Sequence, residues 1–251
     1  MNMEKCTLIV ERPYKKVYRY EDSIVKIFSE THPKADIFNE ALENARVEET
    51  GLEIPKLQKV EEIDGKWALF FEYKAGKTLE EMMKEDVANK EKYMEDFVDL
   101  QLQIHSKKAP MLANTKDKLS RQINQIKDLD ATARYELLTR LESMPRHAKL
   151  CHGDFNPSNV IVDENGQMIV LDWAHATQGN GSADAAMTYL LFALEDQDTA
   201  DLYMKIFCKK ADVARQYLER WLPIVAAAKL SKNNGMHKEF LMKWIDVMDY
   251  Q

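Results

Sequence analysis

Two aspartates and an asparagine flank one short apolar stretch near the middle of the chain. Residues 152–159 read HGDFNPSN, an apolar segment follows, and Asp172 stands in the sequence LDW. At the centre of that segment lies Asn165-Gly166, the residue pair preferred in two-residue hairpin turns where both positions need positive φ. Pairing residues outward from such a turn places Asn159 opposite Asp172, with their Cβ atoms about 5 Å apart on one face.

This arrangement suits a divalent cation. Carboxylate and amide oxygens are ligands that Mg²⁺ prefers, and Mg²⁺ fills its remaining positions with water and phosphate oxygens. Asp154 lies upstream in a loop shaped by Pro157, where it could accept the proton of a hydroxyl group. The simpler alternative is that Asn159 caps a turn and Asp172 is a solvated strand end. Because spacing, turn register and polarity agree, the pattern favours metal-assisted phosphoryl transfer.

The elements before this segment read as a small sheet. Apolar alternation predicts strands at 7–10, 17–20 and 23–28, and a second pair, LQKVEEI and WALFFEY, flanks the hairpin signal Asp64-Gly65. Between them, a helix is predicted from about Lys34 to Thr50. Its apolar stripe would comprise Phe38, Ala41, Leu42 and Ala45. The first 73 residues therefore predict a five-stranded antiparallel sheet with one helix.

Beyond AGKTL at 75–79 the pattern becomes helical. Helical spacing of apolar residues marks four segments, at 93–110, 184–196, 213–230 and 240–248. The second part of the chain is therefore predicted to be mostly helical, and the fold class is α+β.

Composition excludes several classes of protein. The 251 residues carry a net charge of −7, which disfavours a general nucleic-acid binder. Three scattered cysteines indicate neither a disulfide framework nor a zinc site. The first residues, MNMEKCTLIV, lack an apolar leader segment, and no later apolar run approaches the ~18 residues of a membrane span. We therefore expect a cytoplasmic protein that does not bind membranes; the sequence does not indicate an oligomeric state.

These motifs resemble those of the aminoglycoside phosphotransferase and choline kinase superfamily. HGDFNPSN is similar to its catalytic loop and LDWAHA to its metal-binding segment. GNGSAD at 179–184 is similar to a later acidic segment, with Asn180 at its first acidic position. The resemblance implies a bilobal protein-kinase-like fold. Residues 1–74 would form the nucleotide-binding lobe and residues 75–251 the catalytic and substrate-binding helical lobe.

The same resemblance implies roles for individual residues. Asp154 would be the catalytic base, and Asn159 and Asp172 the Mg²⁺ ligands. Lys26, in SIVKIF, would bind the phosphates of ATP (or GTP), and Glu40 would pair with it. Read alone, Glu40 is better explained as a surface residue of an amphipathic helix. Lys26 shares a strand face with Ile24 and Phe28, so its amine needs a partner or ligand.

Further segments extend the comparison. Backbone groups near Glu72, Tyr73 and Lys74 would meet the purine edge. His152 is expected to orient the loop, and His105 to have a structural role. The stretch ERPYKKVYRY has no glycine where kinases place a glycine-rich loop, so charge could come from three side chains instead. These are Lys15, Lys16 and Arg19.

Several functions remain compatible with this pattern. The leading one is a kinase that uses a nucleoside triphosphate and a small, possibly cationic, hydroxyl substrate such as an aminoglycoside. A choline or ethanolamine kinase is the alternative, since Trp221, Tyr217 and Trp244 could surround an ammonium group or simply belong to a core. A non-catalytic nucleotide-binding regulator of the same fold is a third possibility. A protein kinase is disfavoured because the loop reads HGD rather than HRD and no activation segment follows Asp172.

Overall fold

The structure is a computed structural model that describes residues 3–127, 129–231 and 237–246. It divides into two compact units. The first comprises the residues up to 82 together with 158–175, and the second comprises 83–157 and the residues from 176 onward.

The secondary structure is as follows. The strands are β1 (Cys6–Arg12), β2 (Lys15–Tyr20), β3 (Ser23–Phe28), β4 (Leu57–Ile63), β5 (Lys66–Glu72), β6 (Lys77–Thr78), β7 (Lys149–Cys151), β8 (Val160–Val162), β9 (Met168–Val170) and β10 (Thr177–Gly179). The helices are α1 (Lys34–Glu48), α2 (Leu79–Glu85), α3 (Lys90–His105), α4 (Thr115–Gln125), α5 (Ala131–Ser143), α6 (Gly181–Ala193), α7 (Gln197–Ala211), α8 (Arg215–Glu219), α9 (Leu222–Leu230) and α10 (Lys238–Asp246). None of the described helices is both long and apolar enough to cross a bilayer.

The first unit contains the predicted five-stranded antiparallel sheet, in the order β1-β2-β3-β5-β4. The turn between β4 and β5 is the predicted hairpin, because Asp64 and Gly65 have φ values of 48° and 76°. Two positive φ values in succession characterise the type I′ turn, whose twist matches that of the paired strands. The sheet and the helix that crosses it were therefore predictable from local pattern.

The buried face of α1 differs from the predicted one. Phe38 and Leu42 are 41% and 46% exposed. Of the predicted stripe, Ala45 is also exposed and only Ala41 is buried, where it packs together with Ile37 against Phe28 and neighbouring sheet residues. The prediction was wrong because it considered apolar residues alone, whereas the inward face also holds polar residues. These are Glu40, Glu43 and Asn44.

The hairpin of β8 and β9 has a different register from the one predicted. Val160 pairs with Val170, so Asn159 lies opposite Leu171 and not opposite Asp172. The loop has three residues rather than two, and Gly166 at its end has φ +80°. The Asp163 side chain stabilises this longer loop by accepting from the N–H groups of residues 165 and 167, at 2.9 and 2.8 Å.

The second unit is mostly helical, as predicted. Phe97 of α3 stacks on Phe155 at 4.2 Å between ring centroids, and Trp221 is completely buried. The predicted helix at 213–230 is divided into α8 and α9, with Pro223 at the start of α9. Helix α10 corresponds to the predicted segment 240–248, of which residues 247 and 248 lie outside the described residues.

Candidate active site

A cavity of about 660 Å³ lies in the first unit. Its walls come from β1, β2, β3 and β5, from the segment after β5, and from both ends of the β8–β9 hairpin. Seven residues predicted to bind nucleotide or metal line it, namely Lys26, Glu40, Glu72, Tyr73, Lys74, Asn159 and Asp172. Asp154 belongs to the second unit and is described below.

Lys26 is the centre of an ion-pair network in this cavity. Its Nζ lies 2.6 Å from Glu40 Oε1 and 2.8 Å from Asp172 Oδ1. Lys26 and Glu40 are almost completely buried, at 9% and 8% exposure. Burial by itself would lower the pKa of Lys26, but the carboxylates of Asp172 and Glu40 hold it well above its ordinary value. The lysine is therefore a permanent cation, and its predicted pairing with Glu40 is confirmed.

The fold places Lys26 there through the alternation of β3. Ile24 and Phe28 lie on the side of the sheet that packs against α1, and Lys26 stands between them on the same face. Helix α1 presents Glu40 one turn after Ile37, whose side chain anchors the helix to the sheet. Apolar packing on both sides therefore fixes the two ends of the ion pair.

Asp172 reaches the cavity through an unusual backbone conformation. Its φ is +58°, in the left-handed region that aspartate tolerates better than most residues. The next residue, Trp173, is buried, and its indole Nε1–H donates to the Val170 carbonyl at 3.1 Å. Non-glycine residues held in this region cluster at functional sites. The hairpin register does not bring Asp172 towards Asn159, and this bend after β9 directs it into the cavity that Asn159 also lines.

The donors at this end of the cavity fit Mg²⁺. Burial opposes ionisation of Asp172, but the charges of Lys26 and Lys15 hold its pKa well below the usual range. The side chain of Asp172 is nevertheless 32% exposed, so oxygen lone pairs remain accessible. An ionised carboxylate and the amide oxygen of Asn159 are hard ligands of the type that Mg²⁺ binds.

The segment 72–74 is held by contacts within the first unit. Lys74 Nζ lies 2.9 Å from Glu72 Oε1, and the Arg19 guanidinium lies 4.1 Å from the centre of the Tyr73 ring. The N–H of Glu72 donates to the carbonyl of Lys56 at 2.9 Å, and the N–H of Tyr73 donates to that of Asp22 at 3.0 Å. These two N–H groups are therefore engaged by protein, although all three residues line the cavity as predicted.

In the second unit, Asp184 holds the loop that contains Asp154. One oxygen of Asp184 accepts from His105 Nε2 at 2.9 Å and from the N–H of His152 at 3.2 Å. The other accepts from the N–H of Gly153 at 2.7 Å. Burial would raise the pKa of Asp184, but the hydrogen bond and charge of His105 lower it. An ionised carboxylate therefore fastens the two residues that precede Asp154.

His152 completes this arrangement. It is fully buried, and its Nδ1 accepts from the N–H of Asp154 at 3.2 Å. His152 therefore contacts the loop in the way expected of a residue that orients it, and His105 is bonded to the buried Asp184. Asp154 itself is half-buried. No role was predicted for Asp184, although it is the last residue of GNGSAD.

The structure of the second unit explains the asparagine at position 180 and shows where Trp221 and Trp244 lie. Asn180 caps α6 by accepting from the N–H of Ser182, and it donates to the hydroxyl of Tyr217 at 2.7 Å. Asparagine is among the best N-caps, which accounts for it at this position. Trp221 belongs to the core, and Trp244 lies against Tyr189 at 5.8 Å between ring centroids. Trp221 therefore does not line an ammonium-binding cage.

Comparison with known proteins extends these observations. The family described as "Phosphotransferase enzyme family" matches residues 14–227. A search of curated protein sequences found no match.

Solved structures share the fold. A thermostable mutant of aminoglycoside phosphotransferase APH(4)-Ia in ternary complex with AMP-PNP and hygromycin B aligns with a TM-score of 0.73 and 15% identity, covering 98% of this chain and 95% of that one. Aminoglycoside-3′-phosphotransferase of type VIII aligns at 0.65 and 15%, covering 90% and 94%. Choline kinase LicA from Streptococcus pneumoniae aligns at 0.63 and 15%, covering 97% and 95%.

These structures confirm the predicted α+β, protein-kinase-like fold. The family match covers most of the sequence, including Lys26, Asp154 and Asp172. The chain therefore belongs to the phosphotransferase enzyme family and is a small-molecule phosphotransferase.

Proposed function

We propose that the protein transfers the γ-phosphoryl group of ATP or GTP to a hydroxyl group of a small molecule, with Mg²⁺ as the metal. The observation that supports this most directly is the buried network of Lys26, Glu40 and Asp172 in a cavity of about 660 Å³. Two solved structures of similar fold are nucleotide complexes. One is an aminoglycoside phosphotransferase with AMP-PNP and hygromycin B, and the other is LicA with AMP.

Each residue of the network has a defined role in this proposal. Lys26 neutralises phosphate charge, and Glu40 keeps its ammonium group in place when Asp172 binds another cation. Asp172 and Asn159 hold Mg²⁺, which when bound offsets the negative charge of the phosphates. Glu72, Tyr73 and Lys74 lie beside the base of the nucleotide.

Asp154 acts on the acceptor. It accepts the hydroxyl proton while the hydroxyl oxygen bonds to the γ-phosphorus and the bond to the bridging oxygen of the nucleoside diphosphate breaks. Positioning of the loop by His152 and Asp184 makes this role possible. The proposal places the reaction in the cytoplasm, where nucleoside triphosphates are abundant.

The acceptor is proposed to be an aminoglycoside-like small molecule, since a similar structure is a complex with hygromycin B. The choline or ethanolamine alternative draws on the likeness to choline kinase LicA, but Trp221 is buried in the core and cannot contribute to an aromatic cage. A non-catalytic nucleotide-binding protein is the remaining alternative, and only turnover distinguishes it.

The test is acceptor-dependent release of ADP or GDP with Mg²⁺. The panel comprises aminoglycosides, choline, ethanolamine, other amino alcohols and sugars. With the acceptor found, Asp154→Asn is expected to reduce turnover by about 10²–10⁴-fold while nucleotide binding is retained. Asp198→Asn, an exposed aspartate in α7, is the control and should retain turnover. Near-normal turnover in Asp154→Asn would contradict the role of Asp154, and no release with any acceptor would favour the non-catalytic alternative.

A further inference from the structure

The tip of the β1–β2 hairpin is built without backbone groups suited to phosphate. Its two turn residues are Pro13 and Tyr14, between Arg12 and Lys15. Proline has no N–H to donate, and neither turn residue has a positive φ. A glycine-rich loop binds phosphate through closely approaching N–H groups. This tip therefore lacks the run of closely approaching N–H groups of a glycine-rich loop, which leaves charged side chains as its main groups for binding phosphate.

The tip is fixed to the rest of the first unit. The carbonyl of Tyr14 accepts from the N–H of Ser29 at 2.9 Å. The Tyr14 ring lies 6.3 Å from that of His32, which in turn lies 5.2 Å from the ring of Phe28. The side chains that extend from the tip consequently start from a defined backbone position, which reduces the entropy lost when they bind a ligand.

Two cations face each other across this tip. Arg12 and Lys15 are directly paired in the ladder, and both line the cavity. Like charges directly opposed on neighbouring strands destabilise a sheet unless an anion lies close to both. For Lys15 that anion is the carboxylate of Asp172, whose Oδ2 lies 3.6 Å from Lys15 Nζ. The Arg12 guanidinium has no hydrogen bond or ion pair with the residues that the structure describes.

The neighbouring lysine points elsewhere. Lys16 alternates to the opposite face of β2 and pairs with exposed Glu11, with 2.7 Å between Nζ and Oε1. Lys15 is less exposed, at 21% of its side chain against 49% for Lys16. Of these adjacent lysines, only Lys15 is among the residues that line the cavity.

We propose that Arg12 and Lys15 form a side-chain clamp for the polyphosphate of the nucleotide, in place of a glycine-rich loop. On binding, Lys15 exchanges its contact with Asp172 for a phosphate oxygen, and Arg12 gains an anionic partner. The inference rests on the proposed function, because it assumes that the cavity binds a nucleoside triphosphate. The clamp would contact the polyphosphate and not the base or the ribose. Its loss should therefore weaken the binding of ATP more than the binding of AMP.

The experiment is calorimetric titration of ATP and of AMP into the wild-type protein and into Lys15→Ala, Lys15→Arg and Lys16→Ala. Lys15→Ala should weaken ATP binding by about 10- to 100-fold, the usual loss for a charged hydrogen-bond partner. It should change AMP binding by less than about threefold, within the effect expected of a removed exposed ion pair. Lys16→Ala is the matched control and should bind both nucleotides like the wild type. Lys15→Arg should retain most of the ATP affinity.

Each outcome has a distinct meaning. Equal ATP affinity in Lys15→Ala and Lys16→Ala would overturn the clamp, as would an equal loss of ATP and AMP binding in Lys15→Ala. Failure of the wild type to bind either nucleotide would overturn both the clamp and the proposed function. A loss confined to ATP in Lys15→Ala, together with absence of phosphoryl transfer by the wild type, would support the clamp and reject the proposed activity.

Discussion

Replacing Asp184 by asparagine should disable the loop that contains the proposed base, Asp154, without affecting the proposed nucleotide cavity of the first unit. The carboxylate is buried and accepts three hydrogen bonds, two on Oδ2 and one on Oδ1. An asparagine has only one oxygen. The less costly orientation keeps that oxygen for His105 and for the N–H of His152, and leaves the N–H of Gly153 facing the new amide hydrogens.

The magnitude follows from these contacts. A buried N–H without an acceptor costs about 1–3 kcal/mol, and two hydrogen bonds to a charged group become weaker neutral ones. We therefore expect a loss of about 2–4 kcal/mol in the free energy of unfolding. At about 2–4 °C for each kcal/mol, the melting temperature should fall by about 4–16 °C.

The effect on activity should be larger than the effect on binding. Gly153 immediately precedes Asp154, so releasing its N–H displaces the proposed base. Misplacement by about 1 Å can cost about 10²-fold in rate. Asp184→Asn should therefore reduce kcat about 10²-fold and leave the Kd for Mg²⁺-nucleotide unchanged, because the cavity residues belong to the first unit.

Thermal melts, steady-state kinetics and nucleotide titration measure the three quantities. Asp198→Asn is the control, since Asp198 is an exposed aspartate of α7. The pKa of Asp184 is lowered in the folded state, so its contribution to stability is present above the unfolded pKa of about 3.9 and is lost as the pH falls. The difference in stability between variant and wild type should shrink accordingly in acid. Unchanged kcat and melting temperature at neutral pH would refute this reasoning.

Two further predictions concern stability. Gly76→Ala should lower the free energy of unfolding, measured by denaturant titration, by about 2–4 kcal/mol. Gly76 has φ +150°, and an added Cβ would lie 2.2 Å from the Val162 carbonyl oxygen. Gly51→Ala is the control and should lower it less, because Gly51 has φ +74° and an added Cβ would meet no atom within 4 Å. Lys229→Met should raise the melting temperature at pH 7 by about 2–4 °C, because burial lowers the pKa of Lys229 despite the opposing charge of Asp154. A lowered lysine pKa makes the wild type more stable as pH rises through that pKa, so the advantage of Lys229→Met should shrink at alkaline pH; an advantage independent of pH would contradict this explanation.

The parts of the fold that depend on local pattern could be predicted from the sequence. Asp64-Gly65 specifies its turn because few residue pairs adopt two positive φ values at low cost. The alternation of β3 placed Lys26 on the face of Ile24 and Phe28, and the structure has it there. In these cases each residue's neighbours in sequence were sufficient to determine its position.

The sequence-based predictions were wrong or incomplete where a side-chain interaction outweighed the local sequence pattern. Asn165-Gly166 has the composition of a two-residue turn, but hydrogen bonds to Asp163 favour a three-residue loop and shift the register by one. Asp184 escaped prediction because its partners, His105 and His152, are distant in the chain and become neighbours only in the folded unit. Apolar periodicity misplaced the inward face of α1 because Glu40 is buried through its ion pair with Lys26.

Asp172, the proposed Mg²⁺ ligand, and Asp184, which positions a loop, differ in exposure. Both have lowered pKa values because cationic or N–H groups stabilise the ionised form. A carboxylate has about four lone-pair sites. Protein donors occupy three of those on Asp184, whose side chain is 1% exposed, so it has little capacity for a ligand. The side chain of Asp172 is 32% exposed and its partners are the ammonium groups of Lys26 and Lys15, of which the more exposed Lys15 can exchange it for phosphate. The chemistry that makes one carboxylate structural therefore leaves the other available to bind.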